Sequence, residues 1–126
     1  MESNIFSFEK LDVWQLSREY VKFVYQLLKT FPREEQYAIC DQIRRAVVSV
    51  PSNVAEGSGR SSYKEKVHFL EIAGGSLMET YCQLILSNDL GYVSDEDMSA
   101  VKSKTATISK LLNALRATFQ RKLQNG

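Results

Sequence analysis

At 100° per residue, the apolar positions of this chain gather onto stripes in four successive blocks, each long enough for a helix of several turns. The second block carries the clearest stripe, formed by Ile39, Ile43, Ala46, Val47, Val50 and Val54. It runs unbroken past Pro51. A proline there cannot donate to the carbonyl of Val47, and its ring crowds the preceding turn, at a cost of about 3 kcal/mol in a helix interior. The uninterrupted stripe predicts that the helix continues through Pro51 with a kink near Val50, and that surrounding packing offsets the cost. Asn53, just beyond the proline, is then placed to satisfy backbone groups or touch a neighbour.

The first block predicts a helix from about Phe8 to Thr30. Its polar strip is narrow: Gln15, Arg18, Glu19, Lys22, Gln26 and Lys29. Trp14, Leu16, Tyr20, Val21, Phe23, Val24, Tyr25, Leu27 and Leu28 fill the rest of the circumference. One helix against one core needs an apolar arc of about 100°. The excess predicts burial on two sides, by a further neighbour in the same chain or by another subunit, with Trp14, Tyr20, Phe23 and Tyr25 as the main candidates.

Punctuation separates the remaining blocks. Pro32 with Glu34 and Glu35 reads as the first turn of the second helix, and Gly57 and Gly59 as its end. Ser62 with Glu65 forms a capping box that opens the third helix, which closes at Leu90-Gly91. Its stripe comprises Tyr63, Val67, Leu70, Ala73, Gly74, Leu77, Met78, Tyr81, Leu84 and Ile85. Ser94 to Asp97 repeats the capping logic for a fourth helix burying Val101, Ile108, Leu111, Leu112, Leu115, Phe119 and Leu123. The simplest solution is all-α, an antiparallel up-down four-helix bundle spanning residues 1–126 as one domain, with 1–7 and 124–126 as loose ends.

Composition agrees. At 126 residues, with 44% hydrophobic and 25% charged positions, the chain suits one soluble domain. No apolar run approaches the ~20 residues of a membrane span, and the N-terminus lacks the pattern of a signal peptide, so a cytoplasmic location without membrane contact is expected. Cys40 and Cys82 sit in apolar segments without metal-ligand spacing and read as two reduced, buried thiols. The net charge of +1 is unevenly spread: residues 98–126 carry six Lys/Arg and no acid.

Candidate chemistry is sparse. Glu65-Lys-Val-His68 matches half of a di-iron motif, but His68 is the only histidine and falls on a polar side, so a surface histidine is the expectation. Ser49, Ser52 and Ser58 have no histidine partner in sequence, and Gly57-Ser-Gly59 is too short to cradle a phosphate. The chain therefore reads as non-enzymatic, without metal or cofactor. Gly74-Gly75 in mid-helix points to close backbone approach by a neighbouring helix. Arg45, Ser49, Ser52 and Glu56 line the polar face of the second helix with Arg44 on its flank, as a solvated face or a seam at a subunit contact; Asp41 can pair with either arginine. The strongest binding signal is the fourth helix. Lys102, Lys110, Arg116 and Arg121 lie opposite its apolar stripe, with Lys104 and Lys122 flanking, a disposition that can neutralise phosphates. Aromatic residues are absent from that face, which speaks against stacking on bases.

Together these residues resemble the four-helix-bundle proteins encoded by intervening sequences of bacterial 23S ribosomal RNA genes. The similarity begins at Phe8-Glu-Lys-Leu-Asp-Val-Trp-Gln15 and is densest in Gln42-Ile-Arg-Arg-Ala46, Ser49-Val-Pro-Ser-Asn-Val-Ala-Glu-Gly57 and Gly59-Arg60. It continues through Phe69-Leu70, Gly75-Ser-Leu77, Glu79 and Gly91-Tyr92. Gly74 departs from the pattern, which has a larger, often basic residue there. The chain is also similar to the accessory bundle proteins that work beside reverse transcriptases in diversity-generating retroelements. The resemblance implies a left-handed up-down bundle assembled as a ring, most often a homopentamer; the reading of the residues themselves gives Pro51, Asn53, Glu56 and Gly57 structural or interface roles. The partner expected is ribosomal or other structured RNA. The alternative is a scaffold whose partner is another protein.

Overall fold

The computed structural model describes residues 6–126, and among them every regular element is helical. Four helices follow one another: α1 (Asp12–Leu28), α2 (Ile39–Ser58), α3 (Tyr63–Asp89) and α4 (Asp95–Asn125). Each packs on its neighbours in sequence, and α1 closes the ring against α4. The α2–α3 and α3–α4 connections are residues 59–62 and 90–94, too short for anything but antiparallel neighbours.

Local chemistry explains the boundaries. Ser62 Oγ accepts from the Glu65 amide at 3.1 Å and Ser94 Oγ from the Asp97 amide at 3.0 Å, so both expected caps form. At the end of α3, the Tyr92 amide donates to the Ser87 carbonyl and the Gly91 amide to that of Asn88, the two bonds of a Schellman motif. That turn needs a left-handed residue, and Gly91 supplies it at φ +84°. As the unbroken stripe predicts, α2 runs through Pro51.

Three boundaries differ from the sequence-based expectation. The first helix does not start at Phe8: Ser7–Lys10 is a separate 3₁₀ turn, and Leu11 is extended at ψ 127° before α1 begins. Pro32 does not open α2. It precedes a 3₁₀ turn, Arg33–Glu35, and α2 starts four residues later. Gln36 stabilises this detached turn, its side chain donating to the carbonyls of Leu28 and Phe31 while Arg44 bonds its carbonyl and amide oxygens. At the other end α4 continues to Asn125, so 124 and 125 are not loose; of the expected loose N-terminal residues, 1–5 lie outside the described part.

The core is formed by Val24, Leu28, Ile43, Val47, Val50, Val54, Leu77, Leu84, Val101 and Ile108, all essentially closed to solvent. Tyr20 joins them at 1% exposure, its hydroxyl 3.0 Å from Thr105 Oγ1 across the α1–α4 seam. Ser17, Thr80 and Ser87 are buried as well, each donating to the carbonyl four residues back at 2.6–2.8 Å. A hydroxyl satisfied within its own turn packs as a small apolar group.

Each of α1 and α3 carries more apolar surface than this core covers. In α1 the inward stripe is only Val13, Ser17, Tyr20, Val24 and Leu28. Leu16 and Tyr25 stay exposed and Trp14 and Phe23 half-buried. In α3, Ile72, Met78, Ile85 and Leu86 face outward. Cys82 is exposed beside them, contrary to the expectation of two buried thiols, whereas Cys40 is fully buried. Leu123, expected in the core, is 46% exposed because it lies in the last turn of the chain's final helix. Among the described residues, no helix is long and apolar enough to cross a membrane.

Candidate nucleic-acid interface

Helix α4 carries its six cations around the cylinder instead of along one face. Lys102 and Lys110 are exposed, and Arg121 is exposed with its guanidinium 3.3 Å from Thr118 Oγ1. Lys104 leans toward α1, Nζ 5.0 Å from the centre of the Phe23 ring. Arg116 departs from the expected outward position. It is half-buried against α3, with Nη1 3.7 Å from Glu71 Oε2. Of the six, only Arg116 reaches a carboxylate among the described residues.

At the end of the bundle where α3 starts and α4 finishes, aromatic rings meet these cations. The Tyr63 and Phe119 rings lie 5.8 Å apart with their planes tilted by 32°. Lys122 Nζ sits 5.6 Å from the Tyr63 ring centre and Lys66 Nζ 5.7 Å from that of Phe119. Arg60 covers Phe69 at 4.9 Å while its guanidinium pairs with Glu56 at 2.7 Å and approaches Glu65 at 3.8 Å. Lys66 is held by the Ser58 carbonyl, at the C-terminal end of α2 where cations are favoured. The cation-bearing face of α4 reads as free of aromatic residues in the sequence because Tyr63 comes from another helix and Phe119 falls on the apolar stripe. Periodicity assigns Tyr63 to the core stripe, yet the ring is 38% exposed. The run Arg60 to Lys66 is the available signal, since it spaces three cations around a tyrosine at a helix start.

The residues around Pro51 have structural roles. Asn53 Nδ2 donates to both the carbonyl and the hydroxyl of Ser49 at 2.8 Å, and Ser76 Oγ of α3 donates to the same hydroxyl at 2.8 Å. This bracket spans the proline and ties α2 to α3. Pro51 itself borders a groove of about 360 Å³ shared with Phe8, Trp14, Val21 and Val48. Phe8 meets Trp14 edge-on at 4.9 Å. Asp41 pairs with both Arg44 and Arg45, at 3.9 and 3.4 Å, and Arg45 projects into solvent. Gly59 caps the end of α2 as expected, and Gly57 lies in the last turn just before it, where a β-carbon would come within 2.9 Å of Phe69 Cβ. The missing side chain lets α2 approach α3 closely. Gly74 and Gly75 show the reverse of what their place in mid-helix predicts, since nothing stands within 4 Å of a β-carbon at either.

No group of three or more His, Cys, Asp or Glu side chains that could hold a metal ion forms among the described residues. His68 is exposed, as expected, and its ring meets Phe69 edge-on at 5.5 Å. Burial raises the Cys40 thiol above its ordinary pKa, which leaves it protonated and inert. The Tyr92 hydroxyl donates to Glu35 Oε2 at 2.8 Å, and that bond to a carboxylate raises its pKa too. Neither group is set up as a nucleophile or base.

An all-α bundle with this punctuated α2 and a basic final helix defines the class. The profile of the 23S rRNA-intervening sequence protein family matches residues 9–114, and the chain belongs to that family. In fold it is similar to a protein of unknown function from the S23 ribosomal protein family of Bacteroides thetaiotaomicron VPI-5482, known from its crystal structure, with a TM-score of 0.77. That likeness covers 83% of this chain and 95% of the other at 24% identity. No functionally curated protein matches.

Proposed function

We propose that this chain is a non-enzymatic, cytoplasmic bundle protein that assembles as a homo-oligomer and binds structured RNA, ribosomal RNA included, through backbone phosphates. The observation that carries this is the set of α4 cations, five of which reach no carboxylate among the described residues. Charges already paired within the fold contribute little to a polyanion; unpaired ones release counterions when phosphate replaces them. Assembly multiplies the effect, because a ring of copies joins the basic helices into one field. The exposed apolar residues of α1 and α3 support assembly, since patches of that extent on a small domain mark interfaces. Five subunits follow from the family resemblance, two or four otherwise.

Fluorescence anisotropy with a ribosomal RNA fragment across a salt series tests the reading. The logarithm of affinity should fall linearly with the logarithm of salt concentration, and reversing Lys110 and Arg121 to glutamate should reduce the slope by about two. Arg116 is a poorer probe, because its reversal also breaks the contact with Glu71. An unchanged slope removes α4 from the account. Sedimentation at micromolar concentration tests assembly, and a monomer there refutes it. The outward apolar face of α3 favours a second reading, a scaffold with a protein partner. A stoichiometric partner that survives nuclease treatment in a pull-down supports that reading over RNA.

A further inference from the structure

The geometry points to a seat for one unpaired nucleotide of the RNA on the Tyr63–Phe119 platform, where α3 begins and α4 ends. This rests on the phosphate-binding reading above and adds the class of RNA that the protein selects: one presenting an unstacked base in a loop, bulge or overhang.

Two requirements meet at this place. A base needs an accessible aromatic face, and the phosphates beside it need cations that are not already neutralised. Tyr63 meets the first, with more than a third of its surface open and Phe119 supporting it from α4. Lys66 and Lys122 meet the second, standing over the two rings with no carboxylate partner among the described residues. Lys64 and Arg121, the sequence neighbours of Tyr63 and Lys122, are exposed and likewise make no ion pair.

The two lysines are held differently, and this suggests how the seat is filled. Lys66 is anchored by the Ser58 carbonyl at 3.0 Å. Lys122 sits in the last turns of α4 in solvent, held only by its position over the Tyr63 ring. An exposed cation–π contact is weaker than the stacking of a base on an aromatic side chain. A base therefore displaces the Lys122 ammonium from the ring, and the freed cation turns to the adjoining phosphate. A duplex cannot make this exchange, because its bases are stacked on one another and present only backbone to the surface. It is confined to the phosphate contacts of α4.

The protein is titrated by fluorescence anisotropy against a blunt-ended, two-stranded RNA duplex and against the same duplex with a single-stranded uridine overhang. The overhang should bind about tenfold more tightly. Tyr63→Ala should abolish that difference, Tyr63→Phe should keep it, and the blunt duplex should bind all three proteins alike. Equal binding of the two RNAs by the wild-type protein, or an overhang preference that survives Tyr63→Ala, overturns the seat and leaves the phosphate reading standing. Failure of both RNAs to bind at low salt removes the phosphate reading and the seat with it. If circular dichroism shows that Tyr63→Ala does not fold, Tyr63→Leu decides the matter by the same comparison, since leucine packs on Phe119 and offers no stacking face.

Discussion

Gly74 and Gly75 lie in the middle of α3, and open space lies over both of them. Glycine in a helix interior costs about 0.8–1.0 kcal/mol relative to alanine, mostly in backbone entropy. With no atom within 4 Å of either added methyl, nothing opposes that gain, and Gly74→Ala with Gly75→Ala should stabilise the fold by about 2 kcal/mol. An unfolding entropy of about 2.1 cal/mol/K per residue converts this to a rise in Tm of about 7 °C for a chain of this length. Gly57→Ala is the control. There the new methyl lies 2.9 Å from Phe69 Cβ and 3.4 Å from the Lys66 carbonyl, atoms too close to the backbone to swing aside. Overpacking of about 1–3 kcal/mol outweighs a propensity gain of about 1 kcal/mol, so Tm should fall by roughly 4 °C. Thermal melts by circular dichroism, with sedimentation on the same samples, read out all three substitutions. A double variant that melts at or below the wild type with unchanged mass refutes the open-space argument. One that also loses mass shows that another subunit lies on the α3 backbone, and the argument fails for that reason.

Tyr20→Phe leaves the buried Thr105 hydroxyl without its cross-helix partner and should cost about 1 kcal/mol at neutral pH, read as a lower Tm. Burial raises the Tyr20 pKa above its ordinary value, so the folded protein keeps this proton after the unfolded chain has released it. Its contribution is complete below about pH 10 and declines as pH rises further; the loss of stability above that point should be smaller in Tyr20→Phe than in the wild type. Pro51→Ala restores a backbone donor, yet we expect it to lower Tm or the oligomer mass, because the helix path at the proline is matched to the Ser49–Asn53–Ser76 bracket; a higher Tm with unchanged mass refutes this. Ser94→Ala removes the cap on Asp97 and should cost about 1 kcal/mol in chemical denaturation, whereas a loss no larger than a few tenths shows that α4 does not depend on it.

Features set by residues close in sequence are legible from the amino acids alone. The number of helices, both serine caps, the glycine turn after α3 and the passage of α2 through Pro51 depend on periodicity and on hydrogen bonds spanning a few residues. The basic character of the last helix is equally plain, because it is composition. Where a helix is apolar over most of its circumference, though, periodicity cannot say which side turns inward. Packing puts Tyr20 in the core, leaves Tyr25 and Cys82 outside, and draws Arg116 onto Glu71. The hydroxyls of Ser17, Thr80 and Ser87 do not read as core, since a polar residue counts as apolar only once its own turn has satisfied it. The platform of Tyr63, Phe119, Lys66 and Lys122 is out of reach for a related reason. Its two halves are separated by more than fifty residues of chain, and only the antiparallel return of α4 alongside α3 brings them together.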